Sequence, residues 1–118
     1  MWYPRLSPDD GFIVALSDVM LFDVKTQKWT ELTQTTAEHP AWSHDGKYVY
    51  FTSAESEPAF NRVQIKDHKL ERVASLKDVK RPTSGSFGNW TGLAPDDAPL
   101  ALRDISSYEI YALDWQLP

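Results

Sequence analysis

A repeat of about 40 residues is the feature that most constrains how this chain of 118 residues can fold. Three stretches resemble one another: YPRLSPDDGFIVALS at 3–17, HPAWSHDGKYVYFTS at 39–53 and NWTGLAPDDAPLALRD at 89–104. In each, a short apolar segment leads into a turn rich in Asp, Pro or Gly, and a strand-like apolar run follows it. The sequence therefore predicts stacked copies of one small structural unit.

A second hairpin in each unit raises the strand count to four. The segments FDVKTQKWTEL, which starts at Phe22, and VQIKDHKLERV, which starts at Val63, align without a gap at a shift of 41 residues. Each consists of two strand-like runs around a polar turn. This alignment outweighs a weak helix-like spacing at 70–79 and predicts a strand there. We predict units at 2–34, 39–76 and 87–116, the last of which ends before a fourth strand.

The apolar pattern distinguishes inner strands from outer strands. In KYVYFTS at 47–53, both faces of the strand are apolar, and such a strand has to be covered on both sides. The predicted fourth strands instead carry Glu31, Glu71 and Arg72. We therefore expect the inner strands to lie between sheets and the outer strands to be partly exposed to solvent.

Four-stranded antiparallel sheets that repeat near every 40 residues are typical of β-propellers. The predicted fold is all-β: a half or partial β-propeller of about three blades, each with four antiparallel strands except the last, which lacks its fourth. The turn motif also resembles the WD40-like β-propeller repeat of the TolB type, in which an apolar-Trp-Ser-Pro-Asp-Gly-Lys/Arg turn precedes an apolar strand. The best match is AWSHDGKYVYF at 41–51, where His44 replaces the usual Pro. In the variants LSPDDGFIVAL and LAPDDAPLAL, we interpret Asp10 and Asp97 as insertions and Ala98-Pro99 as displacing the Gly.

The chemistry of this motif indicates a structural role. An Asp in a turn accepts hydrogen bonds from backbone N–H groups, and a Gly permits the positive φ of the reversal. Large aromatic side chains such as Trp42 and Trp90, which we place at equivalent positions, are expected to fill the space between neighbouring sheets. The predicted blade motif comprises Ser7, Pro8, Asp9, Gly11, Trp42, Ser43, Asp45, Gly46, Trp90, Pro95 and Asp96.

Three blades are too few to close a propeller, which needs about 4–8. A stack of three leaves an apolar sheet face at each end, and soluble monomers rarely expose such a surface. Two arrangements would cover these faces: a homodimer that forms a six-bladed ring, or the remaining blades of a longer parent chain. The abrupt start at Met1, just before the first repeat, is what we expect of a segment taken from a longer parent.

Composition narrows the functions that the chain can have. The absence of cysteine excludes disulfides, thiolate catalysis and Cys-ligated zinc. A net charge of −5 gives no overall attraction to nucleic acid, and no apolar run approaches the roughly 20 residues of a membrane helix. The glycines at 84–88 precede a predicted strand, so they lack the helix N-terminus of a phosphate loop. We predict no catalytic residue, no cofactor, no bound metal, no nucleic-acid partner and no membrane association.

Two local clusters suggest sharper alternatives. His39, His44 and Asp45 have side chains that can ligate a metal, but the other copies have no matching histidines, so turn and strand roles are favoured. A local basic excess is usually a solvated surface, and its alternative is a rim surface for an acidic partner. The residues that would form this rim surface are Lys77, Lys80 and Arg81.

The leading prediction for function is a non-catalytic binding or scaffolding module. The resemblance to TolB-type propellers implies protein or small-molecule partners at the channel mouth and the rim loops, and a periplasmic or extracytoplasmic parent. The residues alone identify no compartment. The alternative is a propeller segment of a larger enzyme, such as the gating domain of a peptidase or a sugar-active lyase or hydrolase. Both predictions rest on analogy at the level of the fold.

Overall fold

A computed structural model describes residues 2–16, 18–53, 58–77 and 91–101, with side chains from Pro4 onward. Within these ranges the chain forms ten β-strands and no helix. The strands are β1 (Trp2–Leu6), β2 (Phe12–Leu16), β3 (Val19–Asp23), β4 (Lys28–Thr33), β5 (Ala37–Trp42), β6 (Tyr48–Ser53), β7 (Ala59–Gln64), β8 (Leu70–Ser75), β9 (Thr91–Leu93) and β10 (Pro99–Ala101). The prediction of an all-β chain is confirmed.

Strands that follow one another along the chain are also neighbours in the sheets. Sheet 1 has the order β1-β2-β3-β4, sheet 2 has the order β5-β6-β7-β8, and sheet 3 contains β9 paired with β10. All these pairs are antiparallel. Four-stranded sheets of this kind are the blades of a propeller. Residues 102–116 of the unit that we predicted at 87–116 lie outside the described residues.

The outer hairpins of sheets 1 and 2 close in the same way. The Gln27 N–H donates to the Asp23 carbonyl oxygen at 2.7 Å, and the His68 N–H donates to the Gln64 carbonyl oxygen at 2.9 Å. Gln27 and His68 both have φ 59°. The gap-free alignment of these hairpins is therefore confirmed, and so is the strand β8 in place of a helix.

Sheet 2 begins two residues earlier than the sequence predicted, because β5 starts at Ala37 rather than at His39. A register shift interrupts the β5–β6 ladder between Glu38 and Ala41. Pro40 falls inside this irregularity, and it has no N–H for a ladder bond. A bulge is one of the places where a strand tolerates proline. The strand therefore runs through Pro40 and extends two residues beyond the predicted start at His39.

The main core lies between sheets 1 and 2. Residues directly opposite in a ladder project to the same side of a sheet, so Val14 lies beside Leu21, and Val49 beside Val63. β6 is buried along most of its length and β8 is mostly exposed, which confirms the predicted difference between inner and outer strands. The buried cluster comprises Val14, Leu16, Val19, Leu21, Leu32, Ala37, Trp42, Val49, Phe51 and Val63.

Candidate functional site

Apart from Trp42, which lies in β5, and Trp90, which is outside the described residues, the predicted blade motif lies in three neighbouring hairpin turns. We call these turns the turn rim: turn 1 at 7–12, turn 2 at 43–48 and turn 3 at 94–98. They connect β1 to β2, β5 to β6 and β9 to β10. Turns 1 and 2 lie side by side, since a Cβ on Gly46 would be 3.9 Å from Pro8 Cδ. Turns 2 and 3 are joined by the contact of His44 with Asp97. The packed boundaries between adjacent sheets, which we call seams, end at this rim.

In turn 1 a serine and an aspartate close the reversal together. The Ser7 hydroxyl donates to Asp9 Oδ1 at 2.6 Å and accepts the Phe12 N–H at 3.0 Å. Asp9 Oδ1 also accepts the Gly11 N–H at 3.0 Å. These hydrogen bonds favour the carboxylate form, so the pKa of Asp9 lies below its ordinary value, through the Ser7 hydroxyl first and the Gly11 N–H second.

Turn 2 repeats this arrangement atom for atom. The Ser43 hydroxyl donates to Asp45 Oδ1 at 2.7 Å and accepts the Tyr48 N–H at 3.0 Å. Asp45 Oδ1 accepts the Lys47 N–H at 2.9 Å. The Ser43 hydroxyl, followed by the Lys47 N–H, lowers the pKa of Asp45 as well. Both aspartates are therefore engaged inside their own turns.

Turn 3 keeps the aspartate and lacks the serine. Asp96 Oδ1 accepts the Ala98 N–H at 3.1 Å. With no hydroxyl at Ala94 to accept an N–H, the ladder closes one residue sooner: the Ala94 N–H donates to the Ala98 oxygen, whereas the Ser7 N–H donates to the Phe12 oxygen. The different sequence of the third turn therefore corresponds to a turn that closes one residue sooner.

The left-handed residue of each turn corrects our reading of the extra aspartates. Gly46, Asp10 and Asp97 have φ of 73°, 61° and 64°, and they occupy the same place in their turns. Asp10 and Asp97 are therefore replacements for the glycine and not insertions. Aspartate is among the few residues that tolerate this conformation. Gly11 has a different role, because a Cβ there would lie 3.2 Å from Asp9 Oδ1.

The seam between sheets 1 and 2 is joined by Trp42. Its side chain is 9% exposed and packs against Phe12 with ring centroids 6.5 Å apart. The indole Nε1–H donates to the Arg5 carbonyl oxygen of β1 at 2.9 Å. Counted from the turn, the residue of sheet 3 that corresponds to Trp42 is Leu93 and not Trp90, which lies outside the described residues.

The seam between sheets 2 and 3 carries two polar contacts that sequence reasoning missed. The Asp97 carboxylate accepts the His44 backbone N–H, with Oδ1 at 3.1 Å, and Oδ1 also lies 2.5 Å from His44 Nδ1. The hydroxyls of Thr52 and Thr91 form a buried pair at 2.5 Å. The sequence does contain a signal for the first contact, in two departures from the motif. His44 replaces a proline and therefore provides a backbone N–H. The next copy has Asp97 in place of the glycine, and this aspartate can accept that N–H.

The structure does not bring the candidate metal ligands together, and it describes only part of the candidate basic rim surface. His39 lies in the irregular part of β5, and His44 is bound to Asp97. Among the described residues, no group of three or more His, Cys, Asp or Glu side chains could hold a metal ion. Lys77 is exposed, while the other two residues of the proposed basic rim surface, Lys80 and Arg81, lie outside the described ranges.

Arg62 lies on β7, in the outer half of sheet 2. Its guanidinium carbon lies 4.3 Å above the Tyr48 ring centroid, and Nε and Nη2 both donate to Glu71 Oε2, at 2.9 and 2.8 Å. Hydrogen bonds to the Tyr50 hydroxyl and to Glu71 raise the pKa of Arg62 above its ordinary value. Near the same end of sheet 2, an open groove of about 450 Å³ is lined by Gly46, Lys47, Gln64, Ile65 and Lys66.

Neither a protein-family model nor a curated protein matches this chain. Solved structures do match it. The crystal structure of TolB from Acinetobacter baumannii has a TM-score of 0.55, with 19% identity over 80% of this chain. The structure of a protein described as a TolB candidate from Agrobacterium tumefaciens has a TM-score of 0.56, with 23% identity over 79% of this chain. The chain has a TolB-like β-propeller fold.

This TolB-like chain spans 24% and 34% of the lengths of those two chains. The prediction of a partial propeller of the TolB type is therefore confirmed. In the part of the chain that the structure describes, no helix is long and apolar enough to cross a membrane. Likeness at these identities establishes the fold, so the function of the TolB-like segment has to be argued from its own residues.

The lowered pKa values of Asp9 and Asp45 predict an acid sensitivity. A carboxyl group whose pKa is lowered on folding stabilises the protein above the unfolded pKa, here 3.8, and this stabilisation is lost as the pH falls through the folded pKa. Below about pH 4, we therefore expect the Tm of the unmodified protein to decrease with falling pH more steeply than the Tm of the double variant Asp9→Asn/Asp45→Asn. Thermal unfolding followed by circular dichroism at a series of pH values measures this.

A matched control for the acid experiment is Glu31→Gln, which removes a carboxylate from an exposed position of β4. Its Tm should follow that of the unmodified protein across the acid range. Parallel curves for the unmodified protein and the double asparagine variant would contradict the role of the two turn carboxylates.

Proposed function

We propose that this chain is a non-catalytic binding and scaffolding module in which two copies assemble into a closed, six-bladed ring. The observation that carries the proposal is the face of sheet 1 that points away from sheet 2. Ladder pairing places Leu6, Ile13, Phe22 and Trp29 on this face. Leu6 is 52% exposed and Trp29 is 46% exposed. A soluble monomer rarely presents such an apolar face to water.

Two-fold assembly is the simplest closure for a stack of three blades. The sequence predicts three units, and rings of about four to eight blades are the known range. A two-fold axis along the channel would place sheet 3 of each copy against sheet 1 of the other, so that both terminal faces are covered. Such a ring offers a channel mouth and rim turns, where we propose that a protein or small-molecule partner binds.

The turn chemistry supports a scaffolding role over a catalytic one. Catalytic carboxylates have pKa values shifted toward their working pH. Asp9 and Asp45 are shifted in the opposite direction by hydrogen bonds within their own turns. These side chains therefore fit blade construction better than proton transfer.

Sedimentation velocity over a range of micromolar concentrations tests the ring. We expect a species of twice the chain mass of 13.5 kDa, with a monomer appearing only on dilution. Small-angle scattering of the dimer should fit a closed disc better than an extended pair. A folded monomer at every concentration would overturn the proposal.

A further inference from the structure

The free face of sheet 1 repeats, position by position, a face that is buried in sheet 2. Counted from the turn serines Ser7 and Ser43, the residues Leu6 and Ile13 occupy the places of Trp42 and Val49. The latter two are buried against sheet 1, whereas Leu6 is 52% exposed. The free face of sheet 1 is therefore built as one side of a further seam.

The far face of sheet 3 supplies the matching side of such a seam. Thr91 faces sheet 2, because its hydroxyl pairs with Thr52. Leu100 pairs with Gly92 and so projects to the opposite face, where it is 42% exposed. Its ladder position corresponds to that of Val14 in sheet 1, which is fully buried in the seam with sheet 2. Each of the two terminal faces therefore carries an exposed apolar residue, Leu6 on sheet 1 and Leu100 on sheet 3.

Each seam inside the chain contains at least one polar contact. The first seam has the hydrogen bond from the Trp42 indole to the Arg5 carbonyl oxygen. The second seam has the bond between the Asp97 carboxylate and the His44 N–H, together with the threonine pair. These contacts set the register of the sheets as well as adding to their stability.

None of these contacts has the required residues at the seam between two copies. Leu6 takes the place of Trp42 and has no donor. Pro95 takes the place of His44 and has no N–H for Asp10 of the second copy, which is the counterpart of Asp97. Pro4 takes the place of Thr91 and has no hydroxyl. Among the described residues, this seam therefore lacks the counterparts of the polar contacts in the two internal seams and relies on apolar contact.

We infer that the free face of sheet 1 receives sheet 3 of a second copy, and that this closing seam is the weakest in the ring and the place where the ring opens. The inference rests on the ring proposed above. It follows from the continuity of sheet 1 with the seam already present between sheets 1 and 2. Copies should exchange by parting here while their internal seams stay intact. Because the described residues of this seam form no charged pair, dissociation should depend little on salt.

Two substitutions restore the missing contacts one at a time. Leu6→Trp provides an indole N–H for the Gly92 carbonyl of the second copy, which is the counterpart of the Arg5 carbonyl. Pro95→His provides the backbone N–H that Asp10 of the second copy lacks. A hydrogen bond changes an association constant by roughly 2- to 10-fold. A two-fold ring contains the closing seam twice, so each variant should lower the dimer Kd by about 4- to 100-fold.

Dilution series followed by sedimentation, together with exchange between labelled and unlabelled copies, measure both the Kd and the opening rate. The control is Leu70→Trp, the same substitution at a leucine that is 47% exposed on the outer strand β8. It should leave the Kd unchanged. If one variant fails to fold, as judged by circular dichroism, the other still tests the seam.

The outcomes separate the inference from the ring itself. A dimer whose Kd responds to Leu6→Trp or Pro95→His, and not to Leu70→Trp, supports the inference. A dimer that responds equally to Leu6→Trp and Leu70→Trp, with no response to Pro95→His, overturns the inference and leaves the ring standing. A monomer at every concentration, for the unmodified protein and all variants, overturns both.

Discussion

Trp42→Ala is expected to lower the free energy of unfolding by about 3–5 kcal/mol. The substitution removes the aromatic ring that packs against Phe12 in the seam between sheets 1 and 2. It also deprives the Arg5 carbonyl oxygen of its indole donor. Urea unfolding followed by far-UV circular dichroism measures the loss as a lower midpoint at a similar slope.

Trp42→Phe divides this effect into its two parts. The phenyl ring keeps most of the packing, while the Arg5 carbonyl oxygen loses its donor, which costs about 0.5–1.5 kcal/mol. Leu70→Ala serves as a control because Leu70 is largely exposed, and it should cost less than about 1 kcal/mol. A loss of that small size for Trp42→Ala would show that the first seam does not depend on this residue.

Phe51→Ala is the second substitution with a large expected effect. Phe51 is 0% exposed and lies in the cluster that joins sheets 1 and 2. Removing a buried phenyl ring leaves a cavity that the surrounding strands fill only in part, and such changes cost about 3–5 kcal/mol. Because the cluster has members on both sheets, we expect the sheets to lose their cooperative unfolding as well as their stability.

Two optical probes can detect that loss of cooperativity. In the unmodified protein, tryptophan fluorescence and far-UV circular dichroism should report the same urea midpoint, whereas in Phe51→Ala the two midpoints should separate. Val73→Ala, on the exposed side of β8, should keep them together. Coincident midpoints in Phe51→Ala, at nearly unchanged stability, would contradict the proposed role of the first seam.

Much of the fold could be predicted because the bonds that define it are local. Ser7 bonds to Asp9 and Phe12 within five residues, and the turn around Ser43 repeats the pattern. The period of the repeat and the alternation of apolar residues then determine which strands are inner and which are outer. Local signals of this kind are present in the sequence of any single copy.

The parts that could not be predicted depend on contacts between copies or on backbone conformation. His44 and Asp97 are separated by 53 positions, and no periodicity within one copy links them. The left-handed place in turn 1 was assigned to Gly11, because glycine adopts positive φ most readily. The structure places Asp10 there instead. Only the comparison of three turns in space distinguishes a replacement from an insertion.

The different polar contacts at the seams also bear on how the chain avoids misfolding. Near-identical units can exchange partners during folding, and domain swapping is a characteristic failure of repeat proteins. Trp42 needs a carbonyl oxygen opposite it, whereas Asp97 needs a free backbone N–H. Pro8, in the place of His44, cannot supply that N–H. Sheet 3 therefore gains a hydrogen bond when it packs on sheet 2 that it cannot form on sheet 1 of its own chain. The order of the blades thus depends on these contacts as well as on the connectivity of the chain.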